Sequence, residues 1–390
     1  MKKTNVLAFC IREIPSARLG VISLMEELQS QGKIVFHFVE SSKMNKQLIG
    51  QADIAICIRG SEELDIKIVK ELKRLNKYVI YFLDDDLLNV PKSAASSLYY
   101  LNEQIQHNIK NLISTSDCLW TTNRNIAQNY DLINKHVVVI DVPALCLHER
   151  KAESFKSETI KPVVIGFAGS IDHGKFLDQM LDKVIENIIG RYSNVRFEFF
   201  GAKPDFIDKY NATHIPYESD YNQYSEIILS RNWDIGLAPL EDSSFHKCKY
   251  FNKYLEYASK QIVGVYSNVE PYTLKVIHGS NGFLVDNKHE EWTNMLCYLI
   301  ENEEMRNHAA FESFNDVKYN HSLSAIAARV ETLIPEMVQY KAPYVHESSI
   351  RDPFYVKSFY YQKVLGMIKR EKFNTPKFII KKVIGFMRKK

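Results

Sequence analysis

Short apolar runs recur along the chain, separated by polar and helical segments, and the alternation stops and restarts once. In the first half the runs are 6–11 (VLAFCI), 34–40 (IVFHFVE), 52–58 (ADIAICI), 78–83 (YVIYFL), 118–122 (CLWTT) and 136–143 (HVVVIDVP). Residues 16–31 place Ile22, Leu24, Met25 and Leu28 at helical spacing, and 62–75 is a clear amphipathic helix. A charged stretch without apolar periodicity, 144–161, interrupts the pattern. It resumes with 163–167 (VVIGF), 195–200 (VRFEFF), 214–215, 235–238 (IGLA), 262–266 (IVGVY) and 283–285 (FLV), and turns helical throughout from 290 to 339. Strands that alternate with helices imply parallel sheets covered on both faces. A chain of 390 residues exceeds one ordinary core. The sequence therefore predicts an α/β protein of two doubly wound domains facing across a cleft: 1–143, a linker at 144–161, and 162–340, with a return helix and tail at 341–390. That cleft is the expected binding site.

The net charge of +3 sets up no global field for nucleic acid, so no nucleic-acid partner is expected. The six cysteines, Cys10, Cys57, Cys118, Cys146, Cys248 and Cys297, contain no Cys-x-x-Cys pair, and four lie on or beside apolar runs. Buried free thiols in a reducing cytoplasm is the expectation. The first apolar run is too short for a secretory signal, and no run is long enough to span a bilayer.

The densest chemistry lies in 233–286. A short strand, 235–238, runs into a basic loop, and a helix carrying Lys249, Lys253 and Glu256 follows. The strand 262–266 then ends at Ser267 and Asn268, before Pro271, Tyr272 and a further helix. Loops at the carboxyl ends of parallel strands are where open α/β sheets hold ligands. Spacings of four and three put the two lysines and the carboxylate on one helix face, while Tyr254, Leu255 and Ala258 face the core. Lysine ammonium groups and helix N-termini stabilise phosphate charge without a metal. A carboxylate, an acceptor only, suits two ribose hydroxyls. The spacing by itself also fits a charged surface stripe.

The run NKYLEYA at 252–258, then IVGVYS, VEPY at 269–272 and GSNGFLV at 279–285, with WDIGLAPL upstream at 233–240, resembles the retaining GT-B glycosyltransferases of the family-four, group-one type. The likeness covers 163–285 and rests on several elements in order. The pattern at Phe245, Lys249, Lys253 and Glu256 resembles that of the bacterial surface-polysaccharide subgroup. The resemblance implies two Rossmann-like domains with C-terminal helices packing back toward the first. It implies Lys253 on phosphate, Glu256 on ribose, and Ser267, Pro271 and Tyr272 around a donor pocket. It further implies a UDP- or GDP-linked sugar as substrate, no cofactor, no metal, and a glycan or lipid-linked acceptor. A retaining front-face displacement needs no separate catalytic base, and none is assigned.

Two departures stand out. The broader family has a glutamate eight positions before the ribose glutamate, where this chain has Cys248, and an arginine where it has Ser170. The strand-to-helix turn GFAGSIDHGK, 166–175, still offers Gly169, Ser170 and His173 to a donor. In the first half, Arg12, Ser16 and Arg18 follow the first strand, and Asp84, Asp85 and Asp86 follow the fourth. The arginines and serine fit either an acceptor contact or a helix cap with solvated charge. The aspartates read as cleft-lining or helix-capping rather than as a metal site. Alternatives to a transferase are a sugar-nucleotide epimerase on the same fold and a degenerate donor-binding partner subunit.

From Lys363 onward the chain has ten basic side chains and one acid, Glu371, with Ile379, Ile380, Val383, Ile384 and Met387 on one helical face. A basic amphipathic helix suits an anionic membrane surface, so a cytoplasmic protein peripheral to the inner face of the plasma membrane is expected. A helix packed onto the first domain is the other reading of this segment.

Overall fold

The computed structural model describes residues 3–94, 96–150, 161–169, 174–218 and 220–351. The first half forms a six-stranded sheet of order β2-β1-β3-β4-β5-β6, and the second a six-stranded sheet of order β12-β11-β10-β7-β8-β9. The first comprises β1 (Thr4–Cys10), β2 (Ile34–Glu40), β3 (Ile54–Ile58), β4 (Tyr78–Leu83), β5 (Cys118–Thr121) and β6 (Val137–Val139). The second comprises β7 (Val163–Gly169), β8 (Val195–Gly201), β9 (Thr213–Ile215), β10 (Ile235–Ala238), β11 (Val263–Ser267) and β12 (Phe283–Val285). Every pairing is parallel. The central strands are buried on both faces, which is why they read as continuous apolar runs: β3 and β10 are buried at every position. Strand order reverses between β1 and β3 in one sheet and between β7 and β10 in the other, and the crevices at these two points are the ligand positions that such topology creates.

Helices cover the faces. Glu63–Arg74 begins with a reciprocal cap, the Glu62 side chain on the backbone of Asp65 and the Asp65 side chain on that of Glu62, and buries Leu64, Ile68, Val69 and Leu72. In the second sheet Gly166 and Gly236 are register partners. A Cβ at Gly166 would lie 1.9 Å from the Trp233 ring, and one at Gly236 lies 2.5 Å from Tyr257. The two glycines open a notch in which these large rings lie flat on the sheet.

The chain returns to the first half earlier than the sequence reading places it. Leu323–Leu333 and Glu336–Gln339 bury Ile326, Ala327, Val330 and Met337 with Val6, Leu24 and Trp120 of the first sheet. The return thus starts at Leu323, and the expected limit of the second domain at 340 falls after it. Among the described residues, no helix is long and apolar enough to cross a membrane. The tail from Lys363 lies outside the described residues.

The two crossings between the halves are joined. Ala144 N donates to the carbonyl of His321 at 2.7 Å. Asp141, just before the first crossing, accepts from Tyr250 Oη at 3.1 Å and from Arg329 Nη1 at 2.6 Å. His321 is buried, its ring edge-on to Phe251 at 5.6 Å, and its Nδ1 has no hydrogen-bond partner among the described residues. Burial first, then the nearby Lys275 and Arg329, lower its pKa from the ordinary 6.5 to about 4, against the opposing pull of Asp141 and Asp316. The folded protein therefore keeps His321 neutral over a range where the unfolded chain protonates it. The stabilisation is complete above pH 6.5 and drains away as pH falls toward about 4. Denaturant unfolding at stepped pH should show a loss of up to about 3 kcal/mol across this window, and His321→Gln should flatten that slope.

Candidate functional site

The helix Asn252–Ala258 sits between β10 and β11, at the carboxyl end of the second sheet. Its orientation follows from two tyrosines. Tyr254 Oη donates to Asp316 at 2.6 Å, and Tyr257 Oη donates to the Leu237 carbonyl at 2.7 Å. With those rings buried, Lys253 and Glu256 turn outward together, Nζ to Oε2 3.4 Å. Both line a cavity with about 200 Å³ of room for solvent. The Lys253 ammonium also lies 5.7 Å from the centre of the Phe167 ring on β7.

Each half contributes a wall. Gly169, at the end of β7 and so at the point where strand order reverses, lines the cavity beside Gly201. Gly201 has φ +81°, and a Cβ there would meet the Gly169 carbonyl at 2.2 Å, so the two strand ends approach as only glycine allows. Tyr217, Glu218 and Tyr224 form another side; Tyr224 stacks on Phe200 at 4.8 Å. Pro15 and Leu19 of the first half and Pro143, Ala144 and Leu145 of the crossing close it. The cavity thus combines one ammonium, two carboxylates, a close backbone approach and flat aromatic surface. Ser170 and His173 lie outside the described residues.

Lys249 is not on that helix. It falls between the short helix Ser244–Lys247 and Asn252, where Cys248 and Tyr250 turn inward and Tyr250 stacks on Phe251 at 4.0 Å. The expected shared face holds for Lys253 and Glu256 and fails for Lys249, because burying those two side chains bends the chain out of helical register. Its ammonium instead lies 3.6 Å from Asp85 and 5.0 Å from the centre of the Phe245 ring.

Ser267 is buried; its hydroxyl accepts from Leu240 N at 2.8 Å and donates to Asn287 Oδ1 at 2.6 Å, which ties together the ends of β10 and β11. Tyr272 is buried against Tyr266 at 5.0 Å, and burial, then the Glu256 carboxylate, raise the pKa of its phenol. Pro271, after a cis peptide bond, is buried too. None of these three residues lines the cavity. The further helix expected after Tyr272 is a single turn, Tyr272–Leu274.

In the first half Arg12 is exposed, and Arg18 is engaged by Glu13 at 2.7 Å and Glu26 at 2.9 Å, away from the cavity. Ser16, half-buried, follows Pro15, which lines the cavity. The group that organises Asp84 and Asp85 is Arg59, which the sequence reading passed over: its Nε lies 2.6 Å from Asp84 Oδ1, and its Nη2 pairs with Asp85. Arg59 follows the buried β3 directly, with a left-handed backbone at φ +49°, and nothing in its local sequence marked it. Burial works against the Asp85 charge, but Lys249 and Arg59 outweigh it and lower its pKa; burial raises that of Asp84 despite Arg59. Asp86 is saturated by Asn89, Asn129 and Tyr130 and receives the Cys248 thiol at 3.8 Å. It neither caps a helix nor faces the cavity. Among the described residues, no three His, Cys, Asp or Glu side chains gather as a metal site.

Two asparagines at the end of β5 also escaped the sequence reading. Asn123 Nδ2 donates to the carbonyls of Lys247 (3.0 Å) and Lys249 (2.8 Å), and Asn125 Nδ2 to that of Lys247 (2.9 Å) and to Glu270 Oε2 (2.8 Å). The first half thereby holds the loop that leads into the Lys253 helix.

No family model matches the sequence, and a search of curated proteins finds no match. Solved structures do match. A sucrose-phosphate synthase from Thermosynechococcus elongatus superposes over 86% of this chain and 99% of its own, with a TM-score of 0.60 and 11% identity. The chain has the GT-B fold. The Anabaena protein HepE, in complex with UDP and glucose, matches over 85% of this chain and 99% of its own, with a TM-score of 0.58 and 12% identity. A UDP-forming α,α-trehalose-phosphate synthase from Burkholderia xenovorans covers 87% of this chain and all of its own, with a TM-score of 0.57 and 10% identity. The GT-B likeness expected from the sequence therefore holds for the fold, along the greater part of the chain.

Arg59 gives a direct check on the first-half network. Arg59→Met should destabilise the protein by roughly 1–3 kcal/mol in denaturant unfolding, since it leaves the half-buried Asp84 without its cation and Asp85 with Lys249 alone, and adding Asp84→Asn should restore part of the loss.

Proposed function

We propose that the protein is a glycosyltransferase that moves a sugar from a nucleotide-sugar to a glycan or lipid-linked acceptor. The observation that carries this reading is the joint presence of Lys253, Glu256 and Gly169 in one cavity at the strand-order reversal of the second sheet. Lys253 meets the diphosphate, whose charge grows as the glycosidic bond breaks, and its attraction strengthens as that charge develops. Glu256 accepts the two ribose hydroxyls. The aromatic wall around Tyr217 and Tyr224 takes the base. The acceptor enters from the first half, past Pro15 and Leu19. UDP, the ligand of the HepE structure, and GDP are the nucleotides to try first. The chemistry inherited from the resemblance is retaining and metal-independent, with the leaving phosphate assisting deprotonation of the acceptor. The setting is the making of bacterial surface polysaccharide, with the 363–390 tail on the anionic inner face of the membrane.

One observation favours a second reading, a donor-binding partner without turnover. Cys248, where the broader family has a glutamate, is buried against Asp86 of the first half. Nucleotide binding with no transfer to any acceptor would support it.

Thermal shift against UDP, GDP, CDP and ADP with EDTA present tests the donor site. A ligand at a hundred times its Kd stabilises by about 2.7 kcal/mol. Glu256→Ala and Lys253→Ala should each weaken binding roughly 10- to 100-fold, the worth of a charge-assisted hydrogen bond. No shift with any nucleotide would remove the donor-site reading. For the tail, flotation with phosphatidylserine vesicles should bring up the full chain and leave a chain cut after Arg351 behind; equal flotation of the two would count against membrane contact.

A further inference from the structure

The pair Lys249–Asp85 stands apart from the other contacts that join the halves. Asn123 and Asn125 hold the loop through its backbone carbonyls, at 2.8 to 3.0 Å, and do not depend on the Lys249 side chain. The Lys249 ammonium is held less tightly, 3.6 Å from Asp85, with nearly a third of its side chain exposed. Asp85 does not depend on Lys249 either, since Arg59 stays paired with it from within the first half. The lysine can therefore leave while the loop and the acid stay in place.

Lys249 does not line the cavity itself but sits in the loop that leads into the helix of Lys253. Lys249 is four residues ahead of Lys253, which lines the wall. Asp85 follows the end of β4 in the first half, which also supplies Pro15 and Leu19 to the opposite wall. A lysine side chain on a loop that is fixed at its backbone swings through several ångströms by rotamer change alone. The competing charges are unequal: Asp85 offers one negative charge already shared with Arg59, and a diphosphate offers at least two. An anion entering beside Lys253 is thus a stronger partner for Lys249 than its present one.

We propose that Asp85 is a resident counter-ion that holds Lys249 off the donor pocket, and that the diphosphate of the donor displaces it, drawing Lys249 across to make a second cationic contact beside Lys253. The inference rests on the donor-pocket reading and adds to it a competition between an acid of the first half and the donor. It has two consequences. Affinity for nucleoside diphosphate is held below what the two lysines could provide. Binding also strips Asp85 of one of its two cations, which turns a charge-balanced first-half crevice acidic just as the acceptor is required there, and this favours hydroxyl-bearing over anionic acceptors.

The test is a double-mutant cycle on the full chain, with UDP and GDP as probes and calorimetry as readout. Asp85→Asn should tighten nucleotide binding roughly three- to tenfold, the scale of a part-exposed ion pair. Lys249→Gln should weaken it, and in the Lys249→Gln background Asp85→Asn should change affinity less than about twofold. An equal gain from Asp85→Asn with or without Lys249 would show that the acid acts by long-range repulsion alone and would overturn the proposal. So would weaker binding in Asp85→Asn, or unchanged affinity in Lys249→Gln, which also serves if the asparagine variant fails to fold. If the wild-type chain binds neither nucleotide, the donor-pocket reading falls first and this inference with it; if it binds them and the cycle is flat, only the inference falls.

Discussion

The cavity depends on how two tyrosines are buried. Tyr257 occupies the notch left by Gly236 and is fixed through its hydroxyl to the backbone of β10, while Tyr254 reaches Asp316 on the long helix Glu303–Asn320. Seven residues make a helix too short to choose its own rotation. The buried rings choose it, and Lys253 and Glu256 point into the cavity because no other face is left to them. The glycines at 166 and 236 belong to the same arrangement, since any side chain there would push Trp233 or Tyr257 off the sheet.

Most of the scaffold could be read from the chain itself. All twelve strands appear as apolar runs, and even the three-residue β9 and β12 were visible against polar flanks. Where the reading failed, the reason was a contact between residues far apart in sequence. Helical spacing continued back through Lys249, and nothing local announced that Tyr250 would turn inward to meet Asp141. The apolar face of Leu323–Leu333 was plain, but periodicity says only that a face is buried, not which sheet buries it. Arg59, Asn123 and Asn125 carried no pattern because their partners come from other strands and from the other half. Of the nominated donor residues, Gly169, Lys253 and Glu256 come together, while Ser267, Pro271 and Tyr272 are buried and do not line the cavity.

The first half is more than a lid over the second. It contributes Pro15 and Leu19 to the cavity wall, clasps the loop before the Lys253 helix, and takes back the final described helices as part of its own core. The crossing points are themselves packed and hydrogen-bonded, with Ala144 on His321 and Asp141 between Tyr250 and Arg329. Relative movement of the halves must therefore pivot close to this cluster, where a neutral, buried imidazole lies among two cations and two acids.

Asn123 and Asn125 hold the loop mainly by its peptide carbonyls, which every residue carries. The grip is blind to the side chains at 247 and 249. Substitutions at 247 and 249 can then accumulate without loosening these carbonyl contacts, provided the backbone keeps its path, whereas the buried Cys248 is constrained by Asp86 and Asn129. The loop beside the cavity can thus change its exposed side chains while the joint between the halves stays intact.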